Sequence, residues 1–425
     1  MENYGTNRMG GGHKLLQDRL KTEIETLKGI SEPCRCGTTR QSYSAAYKEG
    51  TAYIKGVMED CGLTVHEDGV GNVIGTLTGT EPGLAKILSG SHLDTVRCAG
   101  AFDGIAGVVC AAEAARLVRE SGIPLRHTFQ VLGMIGEEGT RFGKALLGSQ
   151  FIAGIYGEEQ LDEFIGIEDK KTMRQAMTEY GLSGDLKGVS RKEDAVKAFL
   201  EIHGEQGPVL EQEEKQIGVV DTIVGLSWLV VKVKGQAGHS GTVPMNLRRD
   251  AGTGAFHLIC RIHDYVCDTY SGRATLTAGQ GSLLPGSMNS IPGECEFSLD
   301  IRSGEEEILR DILEHLTEFA GEVREKYALD VEVRELTRKE PVKMNAALAG
   351  GIEDVCKELG FTSMRLNSGA GHDSMIFAKL WDTAMIFLPN RDGISHHPDE
   401  WIDYEAMAAG SRVLYQMIRK LDEED

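Results

Sequence analysis

Between Gly90 and Gly104 the chain reads GSHLDTVRCAGAFDG and offers His92, Asp94 and Asp103 in close succession. An imidazole with a carboxylate two residues on suits a metal-binding histidine whose second ring nitrogen is held by that carboxylate. A buried, hydrogen-bonded histidine beside a helix-capping aspartate is the competing reading, and the motif alone leaves both open. Further along stand Glu137-Glu138 before Gly139, His203 before GEQGPVLE, and the run Ser395-His396-His397-Pro398-Asp399-Glu400. His92, Asp103, Glu138, His203 and one of His396 and His397 mix imidazole with carboxylate and include no thiol. Such donors suit Zn(II), Mn(II) or Co(II), and five of them converging would build a two-metal site with Asp103 as the natural bridge. Glu137 is a different candidate. Adjacent side chains on an extended or turning backbone point apart, so one carboxylate of the pair can bind metal while its neighbour faces a substrate as general base. A charged surface turn is the usual fate of such a pair.

The elements that must position these residues are short apolar runs. Ala85–Leu88, Thr128–Ile135, Ala198–Ile202 and Thr383–Leu388 read as buried strands, and each acceptor lies at or just past the end of one. Strand ends in open α/β sheets are where sites are built. Helical spacing is found over Gln17–Lys28, Tyr43–Cys61, Ile105–Glu120, Ala346–Leu359 and Asp373–Lys379, and again from about Tyr404. LTVHED and GNVIGTL pair as a hairpin through Gly69-Val70-Gly71, which lacks the following glycine and helix of a nucleotide loop. Residues 1–12 read as a loose leader, and Glu158–Val196 is polar, helical in pattern and carries no readable chemistry. From about Glu214 the texture changes: β-rich Val219–Lys234, a helix over Asn246–Tyr270, strands at Ala274–Leu284 and Gly293–Arg302, a helix over Glu305–Tyr327, then LDVEVREL. These observations predict an α/β catalytic domain of residues 1–213 and 338–425, with a mixed, mostly parallel sheet and helices on both faces. Residues 214–337 would form an inserted α+β domain with a four-stranded sheet and two helices.

Composition bounds the rest. A chain of 425 residues with 41% hydrophobic and 6% aromatic content is an ordinary globular protein of two or three domains. Its net charge of -20 argues against nucleic acid and anionic membrane surfaces as partners. Nine cysteines, odd in number and scattered, point to a reduced, cytoplasmic setting. Cys34-Arg-Cys36 is the close pair, and without a second pair it is weak as a zinc site. No signal-type apolar core and no run approaching about 18 apolar residues is present, which disfavours secretion and membrane spanning.

With these residues in view, the chain resembles the amidase, hydantoinase and carbamoylase branch of the M20 metallopeptidase superfamily. That branch includes allantoate amidohydrolases, N-carbamoyl-L-amino acid hydrolases and β-ureidopropionases. The resemblance spans Leu15 to Met417 and rests on GSHLDTV, FDG, GEEGTRF, HGEQGPVLE, GQAGHSGTVPM, NSIPG, LDIR, SGAGHDS and GISHHPDE in that order. Gly204 departs from it, standing where a branched residue is common, and His397 adds a second imidazole. The resemblance implies two metal ions per subunit, bridged by Asp103, with His92 and His203 on one ion and Glu138 and His396 on the other. It further implies that Asp94 orients His92, that Glu137 is the base, and that His239, from the inserted lid and dimerisation domain, stabilises an oxyanion across a homodimer interface. Asn289 and Arg302 would hold a substrate carboxylate, with Gln206 and His372 as further substrate-site residues.

The expected activity is hydrolysis of a carbamoyl or ureido group on a small carboxylate, allantoate or an N-carbamoyl-L-amino acid, with release of ammonia and carbon dioxide. An M20-type dipeptidase or aminoacylase and a non-catalytic metal-binding scaffold are the alternatives. Retention of Glu137 argues against the scaffold, which needs ligands but no base. Ser240, Thr242 and the cysteines gain no catalytic reading, since no base is placed beside them.

Overall fold

The computed structural model describes residues 6–424, with side chains from Lys14 onward. The start of the leader expected over 1–12 lies outside the described residues, and from Thr6 the backbone already runs in the helix Thr6–Gly29. Leu16, Leu20, Ile24 and Leu27 recur at helical spacing on its buried side. The chain divides into two compact units, one of Met1–Asp221, Met344–Leu366 and His372–Asp425, the other of Thr222–Lys343 and Asn367–Gly371.

The larger unit is built on a mixed sheet whose order is Thr64–Glu67, Val73–Leu77, Phe129–Met134, Lys86–His92, Val196–Gly204, Thr383–Leu388 and Ile217–Ile223. The middle four strands are mutually parallel and the flanking ones antiparallel. Phe129–Met134 and Thr383–Leu388 are buried at every residue, which is why they read as continuous apolar runs rather than alternating ones. The helix Ile105–Ser121 is buried along almost its whole length, as its Ala and Val content requires. Gly107 permits its close approach: a Cβ there would lie 2.1 Å from the Ile202 carbonyl oxygen. The helices Thr6–Gly29 and Tyr404–Glu423 pack against it.

The smaller unit has an antiparallel sheet ordered Gly281–Leu284, Glu294–Ser303, Gly225–Lys234, Asp330–Lys339. Ala274–Thr277 pairs with the far end of Glu294–Ser303. The single strand expected over Ala274–Leu284 is thus broken at residues 278–280, and five strands fill four lanes. Burial alternates along Gly225–Lys234, with Leu229, Val231 and Val233 inside against Leu258 and Ile262 of the helix Ala251–Tyr270 and Leu309, Ile312 and Leu316 of Glu306–Tyr327.

Both expected domain boundaries move for reasons of pairing. Val219 and Gly218 stand opposite Ile386 and Phe387, so Ile217–Ile223 begins in the larger unit's sheet and the division falls at Thr222 rather than 214. The return moves from 338 to Met344 because Asp330–Lys339 keeps its ladder through Lys339 opposite Leu226. Elements that were not anticipated include the strands Ser363–Ser368 and Ser290–Ile291 and the short helices Leu147–Ile152 and Val209–Gln212, and the helix expected over Asp373–Lys379 shrinks to Ser374–Phe377. Among the described residues no helix is long and apolar enough to cross a membrane.

Candidate active site

Because the four middle strands of the larger unit are parallel, their carboxyl ends fall on one edge of the sheet. His92 is the last residue of Lys86–His92, in register with Met134, after which Glu137 and Glu138 follow. His203 is the last residue but one of Val196–Gly204, opposite Phe387, and the loop beyond Leu388 carries His396. Asp103 Oδ1 lies 3.2 Å from His203 Nε2 and 3.7 Å from His92 Nε2. Its other oxygen lies 3.0 Å from His396 Nε2, which is 3.6 Å from Glu138 Oε2. Three sets of donor atoms are mutually within 4.8 Å: His92, Asp103 and His203; Asp103, Glu138 and His396; and His92, Glu137 and Glu138. The first two share Asp103. The third brings Glu137 near enough to His92, at 3.8 Å, to be considered as a ligand itself.

The loops that carry these donors are held by buried hydrogen bonds. Asp94 was expected to orient His92 through its carboxylate. His92 Nδ1 lies 3.0 Å from the Asp94 backbone oxygen and 3.9 Å from the carboxylate, which accepts from Glu137 N–H at 3.0 Å and Glu138 N–H at 3.3 Å. Asp94 therefore fixes the Glu137-Glu138 turn as well as touching the histidine. Gly104 has φ +67°, and a Cβ on it would come 2.4 Å from the His92 ring, so this position requires glycine twice over. Buried Glu400 accepts from Phe102 N–H at 3.0 Å, Asp103 N–H at 3.1 Å and Ser395 Oγ at 2.7 Å, joining the Asp103 loop to the His396 loop. Asn390 does similar work, accepting Gln206 N–H at 3.0 Å and donating to the Ile394 carbonyl at 3.1 Å. It also occupies the space beside Gly204, where a Cβ would lie 2.6 Å from its Oδ1, so a branched residue does not fit here. Sequence reasoning named Glu400 as the end of the run from Ser395 and passed over Asn390.

Electrostatics mark the site as short of positive charge. Burial pushes the carboxyls of Glu137 and Glu138 well above their usual range, and the neighbouring carboxylates, Asp103 among them, add to the rise. Burial works against protonation of His92, yet Asp103, Glu137 and Glu138 together hold it well above the normal histidine range. Asp103 is driven the other way, below the carboxylate range, by His203, His396 and His92 against the cost of its burial. Glu138 Oε1 is buried with no hydrogen-bond partner. A cluster of buried carboxylates with oxygen lone pairs to spare, facing neutral-capable imidazoles, fits divalent cations by donor chemistry and by charge.

The remaining expected residues divide between the units. Gln206 Nε2 lies 3.2 Å from Asp103 Oδ2 and 3.4 Å from His396 Nε2. His372 is buried with its ring 4.4 Å from that of His203, and burial followed by His203 holds it well below the usual histidine range. His397 is exposed and turned towards Asp399, whose N–H donates to its Nδ1 at 3.2 Å. In the smaller unit, exposed His239 pairs with Ser290 across a two-stranded ladder, and Ser240 N–H donates to the Asn289 carbonyl at 3.0 Å, which sets His239 and Asn289 side by side. Arg302 Nε and one outer nitrogen hold Asp300 at 2.9 and 2.8 Å, and the other outer nitrogen donates to the Gly369 carbonyl at 2.7 Å. With five N–H donors on a guanidinium, two remain for a ligand.

A mixed sheet with a parallel centre, imidazole and carboxylate donors gathered at the carboxyl ends of its middle strands, and an α+β unit inserted in the chain define the class of a two-unit α/β protein with a candidate metal site. Comparison with known proteins narrows this: the model of peptidase family M20/M25/M40 matches residues 88–420, and the chain belongs to that family. It is similar to the N-carbamoyl-L-amino-acid amidohydrolase of Paenarthrobacter aurescens, 39% identical over 410 residues that cover 96% of this chain and 99% of that one. The allantoate amidohydrolase of Escherichia coli K12 is 35% identical over 388 residues, covering 91% and 93%. Among solved structures, an amidase of the hydantoinase/carbamoylase family from Burkholderia multivorans superposes with a TM-score of 0.91 at 29% identity, covering 96% of this chain and 98% of that one. Within the family the chain stands in this amidase branch, as an amidohydrolase.

Proposed function

We propose that this protein is a dinuclear metal-dependent amidohydrolase that cleaves the carbamoyl or ureido group of a small carboxylate and releases ammonia and carbon dioxide. The observation that carries the reading is the pair of donor sets that meet at Asp103, with His92 and His203 on one side and Glu138 and His396 on the other. Two ions of Zn(II), Mn(II) or Co(II), when bound, supply a lowered pKa for water and polarisation of the carbonyl. Glu137 takes the proton of the attacking water and passes it to the departing nitrogen. Asp94 keeps Glu137 in place through its N–H, and Gln206 and His372 shape the floor against which the substrate is set. Arg302 and Asn289 hold the substrate carboxylate, for which a guanidinium offers two parallel hydrogen bonds. His239 donates to the oxyanion in the site of a partner subunit, making the working enzyme a homodimer with the smaller unit as its lid and dimerisation domain. Nine unpaired cysteines agree with a cytoplasmic setting.

Both candidate substrates present a ureido carbon and a carboxylate, and 39% identity along nearly the whole chain to a protein named for N-carbamoyl-L-amino acids favours that class over allantoate. The test is ammonia release from N-carbamoyl-L-amino acids, N-carbamoyl-β-alanine and allantoate with Mn(II) or Zn(II) supplied. The expected result is turnover highest on an N-carbamoyl-L-amino acid. Dipeptide hydrolysis with no ammonia from any of the three would overturn the proposal.

A further inference from the structure

The Cys34-Arg-Cys36 pair takes no part in the site, yet the fold brings it a third thiol from the loop that joins Asp94 to Asp103. An isolated antiparallel bridge ties the two segments: Thr38 N–H donates to the Ala99 carbonyl at 2.9 Å and Ala99 N–H to the Thr38 carbonyl at 2.8 Å. Beside it, Cys98 N–H donates to Thr39 Oγ1 at 2.8 Å. Gly37 lets the backbones approach, since a Cβ there would stand 2.3 Å from the Ala99 oxygen. The Cys34 side chain folds back over the same turn. Its sulfur lies 3.2 Å from the Gly37 carbonyl and 3.6 Å from Ser31 Oγ, which in turn accepts Thr39 N–H at 2.8 Å. Thr39 thus stands between the two segments, meeting Cys98 through its hydroxyl and the Cys34 sulfur through Ser31. Cys98 holds a left-handed backbone, φ 51°, uncommon for a residue with a side chain.

Two chemistries are open to such a cluster, a soft metal ion or a disulfide. Among the described residues, no group of donors lying mutually within 4.8 Å includes these three sulfurs, so the arrangement offers a pair more readily than a metal triad. The thiols also differ. The Ser31 hydroxyl foremost holds Cys34 below the usual thiol range, with burial opposing and Thr39, Cys98 and the Cys36 N–H assisting. Burial and then Cys98 push Cys36 up. A thiol held below its usual range near a second thiol, both half-exposed, is the arrangement that small oxidants attack. Cys61, Cys110 and Cys356 are buried and their thiols pushed up by burial, which makes them inert by comparison.

We propose that Cys34 and Cys98 form a peroxide-sensitive dithiol that closes to a disulfide. The Cys34 sulfur attacks one oxygen of hydrogen peroxide, the O–O bond breaks, and Cys34 sulfenic acid and a first water result. The Cys98 sulfur then attacks the sulfenic sulfur, a new S–S bond forms, the S–O bond breaks, and the oxygen leaves with the Cys98 proton as a second water. Two thiols are oxidised and one peroxide is reduced. The disulfide would fasten the segment around Cys34 to the loop between Asp94 and Asp103.

The test treats the reduced full-length protein with hydrogen peroxide after removal of reductant, then blocks free thiols and maps peptides without reduction. The expected result is a Cys34–Cys98 linked peptide, lost on later reduction, absent from C34S and from C98S and retained in C36S. In the untreated wild-type protein, limited alkylation should label Cys34 ahead of the buried thiols, and peroxide should protect Cys34 and Cys98 together. This second measurement needs no variant to fold. A linkage of Cys36 to either thiol, sulfinic acid at Cys34 in place of a linkage, or labelling of Cys34 unchanged by peroxide would each overturn the assignment.

Discussion

Glu137 and Glu138 are neighbours in sequence whose backbone N–H groups share one acceptor, Asp94, while their carboxylates face different company. Glu138 reaches towards His396, and Glu137 towards His92. If Glu137 is the base and Glu138 the ligand, Glu137→Gln should lose on the order of 10²–10⁴ in kcat, the usual worth of a general base, and keep the metal content of the parent. Loss of metal along with turnover, read by elemental analysis of the purified variant, would make Glu137 a ligand. The same measurement separates the two histidines of the last loop. His396→Ala should lose one ion and nearly all turnover, whereas His397→Asn should keep both ions and most activity, because the His397 ring is exposed and engaged by Asp399. The donors themselves were legible in the sequence, since each is an imidazole or carboxylate next to an apolar run. Glu400 and Asn390 were not, because they act by accepting backbone N–H groups, and no spacing of residue types announces that.

At the level of elements, the site depends on a loop between a strand and a helix that must return Asp103 over His92. Gly104 is the residue that allows it, with positive φ and the His92 ring against its missing Cβ. Gly104→Ala should cost about 1–3 kcal/mol from the backbone alone, read by urea denaturation, and more than that in metal affinity, because His92 has to move. Stability and metal binding both unchanged would show that the loop is more pliant than the contacts indicate. The buried parallel strands were readable because an uninterrupted apolar run of that length has few other fates. Ser363–Ser368 was missed because it is half-buried and lacks alternation. Its Arg365 is an ion-pair partner of Asp221 and Glu353 instead of part of a core. The break at residues 278–280 was missed although Gly279 and Gly281 flank Gln280 there, residues poor in β propensity that mark such a break.

For the whole molecule, the division into two units was foreshadowed by the change of texture near Glu214, while the boundaries were displaced because strand pairing, which the sequence does not display, decides where a unit ends. The proposed use of His239 by a partner subunit makes a prediction that belongs to the assembly. Mixing inactive His239→Ala with inactive Glu137→Gln subunits should regenerate activity, since some hybrid dimers carry one site with both residues intact; no recovery after verified subunit exchange would remove His239 from that role. The central claim is that two divalent ions per chain, held around Asp103, are required for carbamoyl hydrolysis. It is tested most directly by stripping the protein with chelator and titrating Mn(II), Co(II) or Zn(II) back while bound metal and ammonia release from an N-carbamoyl-L-amino acid are measured together. The account predicts no turnover in the stripped protein and recovery that completes at two ions per chain; full turnover in metal-free protein would contradict it.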